Sequence, residues 1–177
     1  MESQPCAGTS ADAGVSARGA WAENPAWTTE EIEQRISLMM RRQERLTDPN
    51  FEFEAIVSEA SLRQVIGNRS IMADQLRHLV EIGDRPNVTI RVAPFAIANA
   101  IGPVAGSFVW LDFFELRSTK LQEPPVVYVE GFVGDLYLER KVELTQYRDA
   151  LTRIRRIALD ANESRNLILA IAREHSE

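Results

Sequence analysis

FEFEAIVSEASLRQVIGNRSIMADQLRHLVEIGDRPNVTIRVAPF, residues 51–95, is the stretch that decides the fold. Phe51, Phe53, Ala55 and Val57 alternate with Glu52 and Glu54, the period of a half-buried strand over 51–57. Glu59 to Ile66 reads as a short helix stopped by Gly67-Asn68. Ser70 is expected to cap a second helix, with Ile71, Met72, Gln75, Leu76, Leu79 and Val80 on one side. Gly83-Asp84-Arg85-Pro86-Asn87 is a turn, and VTIRVAPF (88–95) is a second strand ending at Pro94. Two strands joined through helices can pair in parallel by a right-handed crossover.

Working outward, Thr28-Thr29-Glu30-Glu31 opens a helix, because a threonine cap and acids suit the free amides of a helix start. Ile32, Ile36, Met39 or Met40, Gln43 and Leu46 continue it until Asp48-Pro49. Downstream, an Ala/Gly/Pro-rich loop (96–106) precedes strands at 107–114 and 126–132 and a short one at 136–138. Two helices close the chain, at about 139–158 and 162–174. The expectation is an α+β, α/β-like domain: a mixed four- to five-stranded sheet packed with helices, two of them C-terminal. Residues 1–27 read as a tail and 28–177 as a single domain. Trp21 and Trp27 flank Asn24-Pro25 in the tail, where the rings either dock on the body or cover a pocket.

At 177 residues and 45% hydrophobic, the chain can bury a core without disulfides. Its net charge of −6 argues against a nucleic-acid binder and against a polybasic membrane-surface protein. One cysteine, Cys6, excludes an internal disulfide and a Cys-based zinc site, and His78 and His175 leave little room for a histidine metal site or a serine triad. No run is long enough to span a membrane and no signal peptide is visible, so a cytoplasmic location is expected. Gly102, Gly106, Gly131 and Gly134 fit no phosphate-loop or dinucleotide pattern, and no cofactor is expected.

Glu52 and Glu54 fall on a solvent face by alternation. Glu59 and Glu130 each end a hydrophobic strand, where ligands gather in open sheets. The alternatives are structural: Glu59 supporting the next helix, and Glu130 pairing with Arg91 or Arg63. Arg153, Arg155 and Arg156 form a small basic cluster, read as a solvated or dimer-rim face. The remaining prominent residues are Met and aromatic, and they build either core or an apolar cavity.

Met72-xx-Gln75-Leu76-xx-Leu79, Pro86-Asn87-Val88-Thr89-Ile90-Arg91-Val92, Pro94-Phe95, Gly106-Ser107-Phe108, Val126-Val127-Tyr128-Val129-Glu130 and Ala158-Leu159-xxxx-Ser164 follow one another in order. Glu59-Ala60-Ser61-Leu62-Arg63 and Arg42-Gln43 precede them. The set resembles the C-terminal domain of antitoxin-like XRE-type transcriptional regulators of high-GC bacteria, over roughly residues 30–175. The resemblance implies a domain that senses a ligand or a partner protein, preceded in that family by a helix-turn-helix that has no counterpart here. Met39 stands where the family usually has Arg, and Ala96–Ile101 carries no histidine where the family usually has a Gly-x-His element. If both positions face the family's pocket, that pocket has become more apolar.

Two functions are therefore expected. One is an apolar small-molecule-binding domain used as a cofactor-free cyclase on a polyene or polyketide, accelerating ring formation by holding a reactive conformer. The other is a non-catalytic sensor or antitoxin-like module acting through protein partners. For the cyclase, Trp110, Tyr128 and Gln75 are the candidate catalytic residues. Trp21, Trp27, Met39, Met40, Met72, Phe95, Phe108 and Phe132 are the candidate substrate-binding residues. A homodimer that binds neither DNA nor membrane completes the expectation.

Overall fold

The computed structural model describes residues 28–95, 101–113, 123–131 and 133–176. Trp21, Trp27 and Phe132 lie outside the described residues. The chain divides into two compact units, one built from the segments up to Phe95 and from Leu159 onward, the other from Ala96–Ala158.

The first unit opens with α1 (Thr29–Glu44). Thr28 and Glu31 form a reciprocal cap: the Glu31 amide donates to Thr28 Oγ1 at 3.3 Å, and the Thr28 amide donates to Glu31 Oε2 at 2.7 Å. A 3₁₀ turn (Arg45–Thr47) leads to β1 (Phe53–Ser58), α2 (Glu59–Arg63), α3 (Arg69–Gly83) and β2 (Val88–Ala93). The two strands pair in parallel, Phe53 opposite Val88 through Ser58 opposite Ala93. Along β2, Val88, Ile90 and Val92 are buried while Thr89 is exposed, the alternation expected of a strand covered on one face. The last helix, α6 (Ala161–Glu174), returns to this unit and is capped by Asp160 and Glu163. Leu46, Leu62, Leu76, Val80, Val88, Ile90, Val92, Ile168, Ile171 and Ala172 form one core beneath α3 and α6. α3 starts one cap earlier than expected: Asn68 Oδ1, not Ser70, accepts the Ile71 amide at 2.8 Å.

The second unit carries α4 (Ile101–Ala105), β3 (Val109–Leu111), β4 (Val126–Gly131), β5 (Gly134–Leu138) and α5 (Lys141–Ile157). Gly106 closes α4 with a φ of 69°, a left-handed conformation that favours glycine. The three strands form an antiparallel sheet in the order β3-β4-β5. Gly131 faces Gly134 across the hairpin, and a side chain on Gly131 would meet the Gly134 carbonyl oxygen at 2.8 Å.

The α+β class and the two C-terminal helices are as the sequence implies, but the single mixed sheet is not. The strands separate into a parallel pair and an antiparallel triplet. Alternation identifies strands; it does not say which strands pair. Among the described residues of the strand read at 107–114, Val109–Leu111 are strand, and part of the loop read at 96–106 is the helical turn Ile101–Ala105. No helix among the described residues is long and apolar enough to cross a membrane.

Candidate functional site

The antiparallel sheet has two chemically distinct faces, fixed by its register. Trp110 is opposite Val127, and Val127 is opposite Leu138, so these three share one face. Val109, Tyr128 and Tyr137 share the other, with Leu111 opposite Val126 and Glu130 opposite Asp135 on that same side.

Helix α5 covers the part of the first face around Trp110 and Val127, while Leu136, on the same side, is 58% exposed. Tyr147 meets the Phe108 ring edge-on, with centroids 4.9 Å apart, and the Arg148 guanidinium lies 5.2 Å from the Trp110 ring centroid. Val127 is fully buried there. A cleft of about 340 Å³ adjoins Arg148 and is lined also by Pro124, Pro125, Glu139, Lys141 and Leu144. Pro124, Pro125 and Leu144 give it apolar wall, and Glu139, Lys141, Thr145 and Arg148 bring polar groups to it.

The opposite face is open. Val109 is 48% exposed, Leu111 38% and Tyr137 66%. The Tyr128 and Tyr137 rings lie 5.1 Å apart at 50°. Burial, a hydrogen bond to the Asp135 carboxylate and the nearby charges of Glu130 and Asp135 hold the Tyr128 phenol above its usual pKa. No ion pair among the described residues engages Glu130 or Asp135.

The expected site residues distribute over both units. Phe108, Trp110 and Tyr128 belong to the second, but Trp110 and Tyr128 point to opposite sides of the sheet and do not line one surface. Met39, Met40, Met72, Gln75 and Phe95 belong to the first. Met72 is core, 5% exposed; Met39 is 48% exposed, and Met40 is half-buried. Gln75 Oε1 is buried with no hydrogen-bond partner among the described residues. The Phe95 ring is 62% exposed, and it is the Phe95 backbone that does structural work.

That backbone amide donates to Glu59 Oε2 at 2.9 Å. Glu59 also accepts from Arg63 Nε at 2.8 Å, and Arg63 reaches Glu174 at 2.5 Å. The Phe95 amide holds the Glu59 carboxyl below the usual carboxylate range against the opposing effect of burial, with Arg63 assisting. Glu59 therefore clamps the ends of the two parallel strands, which is the structural alternative for this residue. Arg91 donates from Nε to the Leu159 carbonyl at 2.8 Å and lies 3.9 Å from Glu54.

Two further residues, quoted in the sequence as members of the family motifs, hold backbone groups in place. Ser164 is fully buried; its Oγ accepts the Val92 amide at 2.9 Å, and the Leu159 amide donates to the Val92 carbonyl at 2.9 Å. The chain entering α6 thus satisfies the outer edge of β2 as a third strand would. Asn87 Nδ2 donates to the carbonyls of Leu46, Asp48 and Phe51, at 3.2, 3.1 and 2.8 Å. A short polar residue directly before a strand is the available signal for Asn87; Ser164 lies inside α6.

Fold and site together define an α+β protein with a clamped parallel pair in one unit and a half-open antiparallel sheet in the other. The chain belongs to the family described as a domain of unknown function (DUF5753), which it matches over residues 17–170. No curated protein and no solved structure matches it.

Proposed function

We propose that this chain is a non-catalytic binding module that works through a protein docked on the open face of the β3–β4–β5 sheet. The observation that supports this reading is the face itself. Val109, Leu111 and Tyr137 remain in solvent beside Tyr128, and contiguous exposed apolar surface marks interaction sites. The resemblance to the sensing domain of antitoxin-like regulators points the same way. On this reading the chain binds no DNA, in keeping with its net charge of −6.

A second reading, the cofactor-free cyclase, draws on one observation. Trp110 and Phe108 sit beneath α5, and Arg148, beside the Trp110 ring, also lines a cleft of about 340 Å³. That volume falls at the small end of the range for ligand sites, roughly 300–1,000 Å³. Pro124, Pro125 and Leu144 line it together with Glu139, Lys141 and Arg148, which suits a ligand with both an apolar body and polar groups.

One experiment separates the two. The chain is mixed with the products of its neighbouring genes, and complexes are measured by light scattering after gel filtration. In parallel, products of a linear polyene substrate are compared with and without protein. The module reading expects a complex that Leu111→Glu abolishes and an unchanged product distribution. A changed distribution that Trp110→Ala restores to background, with no complex formed, gives the function to the cyclase.

A further inference from the structure

The open face is not simply apolar. Its register sets Glu130 directly opposite Asp135, two carboxylates on neighbouring strands. Like charges so placed destabilise a sheet. One pair nearer β3, Tyr128 faces Tyr137, with rings 5.1 Å apart. Two acids and two aromatic rings thus occupy consecutive cross-strand positions of one hairpin, on one side. β5 is also the end of the sheet order, so its outer backbone groups pair with no strand among the described residues.

A guanidinium answers all of these features. It donates paired N–H bonds to carboxylates and stacks on tyrosine rings. An extended chain laid along an open strand edge projects alternate side chains to the same face. We infer that the β4–β5 hairpin docks an extended segment of a partner protein that adds to the β5 edge and places arginines, two residues apart, against Glu130, Asp135 and the Tyr128–Tyr137 pair. The inference rests on the module reading above and names the chemistry of its partner. Charge complementarity commits the face to a basic occupant: the carboxylates repel an acidic segment and gain nothing from a neutral one. A cation between Glu130 and Asp135 also relieves the like-charge cost that the free sheet carries.

The test uses the full chain and two capped pentapeptides, one with arginine at its second and fourth positions between valines, the other with glutamine there. Binding is followed by calorimetry and by amide shifts of Asp135 to Leu138. The arginine peptide is expected to bind about tenfold tighter than the glutamine peptide at low salt, an advantage that shrinks as salt is raised. Glu130→Gln and Asp135→Asn are each expected to weaken it by about three- to fivefold, the scale of one exposed ion pair. Both substitutions remove like-charge repulsion, so the fold should survive them. Glu130→Lys with Asp135→Lys should reverse the preference toward a glutamate-bearing peptide.

Equal binding of the two peptides, indifference to these variants, shifts confined to other segments, or no binding of the arginine peptide each overturns the inference. If any of these is found while the Leu111-dependent complex persists, only the basic occupant is refuted and the module reading stands. Loss of that complex together with altered polyene products refutes both.

Discussion

The β1–β2 pair and the β3–β4–β5 sheet solve opposite problems. The parallel pair is locked by polar groups placed where the chain needs them. Glu59 ties β1's end to Phe95, Asn87 gathers three carbonyls, and Ser164 completes the edge of β2. The antiparallel sheet buries Val127 under α5 but leaves Tyr137, Leu111 and two facing carboxylates in solvent. Polar groups in the first are internal partners, and on the open face of the second they point outward. The contrast teaches where to look for function: polar groups tied into the backbone of the fold explain stability, and exposed charges with no ion pair among the described residues explain binding.

The largest effect should come from breaking the core of the first unit. Leu76→Ala, at a site 2% exposed, is expected to cost about 3 kcal/mol of unfolding free energy, the scale of a buried leucine truncation. Urea denaturation followed by circular dichroism measures it, and a loss below about 1 kcal/mol would show that the site collapses around the change.

Ser164→Ala comes next. It leaves the Val92 amide buried without its acceptor, a loss of about 2 kcal/mol. Amide hydrogen exchange at Val92 should accelerate at the same time, and unchanged protection there would mean another group accepts the bond.

Glu59→Gln should cost about 1.5 kcal/mol near neutrality, because an amide replaces a charged acceptor. Its pH dependence is the sharper reading. A carboxyl whose folded pKa is depressed stabilises above its unfolded pKa, about 4.3, and loses that contribution as pH falls through the folded value. The wild type should therefore lose more stability than the Gln variant between pH 6 and pH 3. Parallel pH profiles would remove Glu59 from the account.

The smallest effect belongs to the open face. Tyr137→Ser should change stability by no more than about 0.5 kcal/mol, since the side chain is 66% exposed. A cost of 2 kcal/mol in the same urea assay would mean that the face is a structural surface, and the comparison between the two sheets would fail.

Local signals in the sequence read well. The Thr28–Glu31 cap, the alternation of Val88, Ile90 and Val92, and the helix through Met72, Leu76 and Val80 all stand where residue chemistry puts them. Pairing is a tertiary outcome, and there the reading stopped: nothing in residues 107–138 says that those strands avoid β1 and β2. The site shows the same limit at finer grain. Trp110 and Tyr128 each look like pocket residues in isolation, yet register parity sends them to opposite faces. Met72 has the composition of a ligand contact and the burial of core. Several residues that carry the family resemblance, Asn87, Arg91 and Ser164 among them, bond backbone carbonyls or amides, which periodicity does not reveal.

The return of α6 to the first unit has a consequence for the order of assembly. Ile168, Ile171 and Ala172 complete a core whose other members lie at or before Val92, so residues 96–158 must be synthesised before that core can close. The second unit is continuous in sequence and needs no segment from outside 96–158. Because loop-closure entropy rises with the length of the intervening chain, the half-open sheet can form while the parallel pair still waits for its last helix. Until then β2 presents an unsatisfied edge at Val92, and the nascent chain passes through an interval in which that strand is open to mispairing.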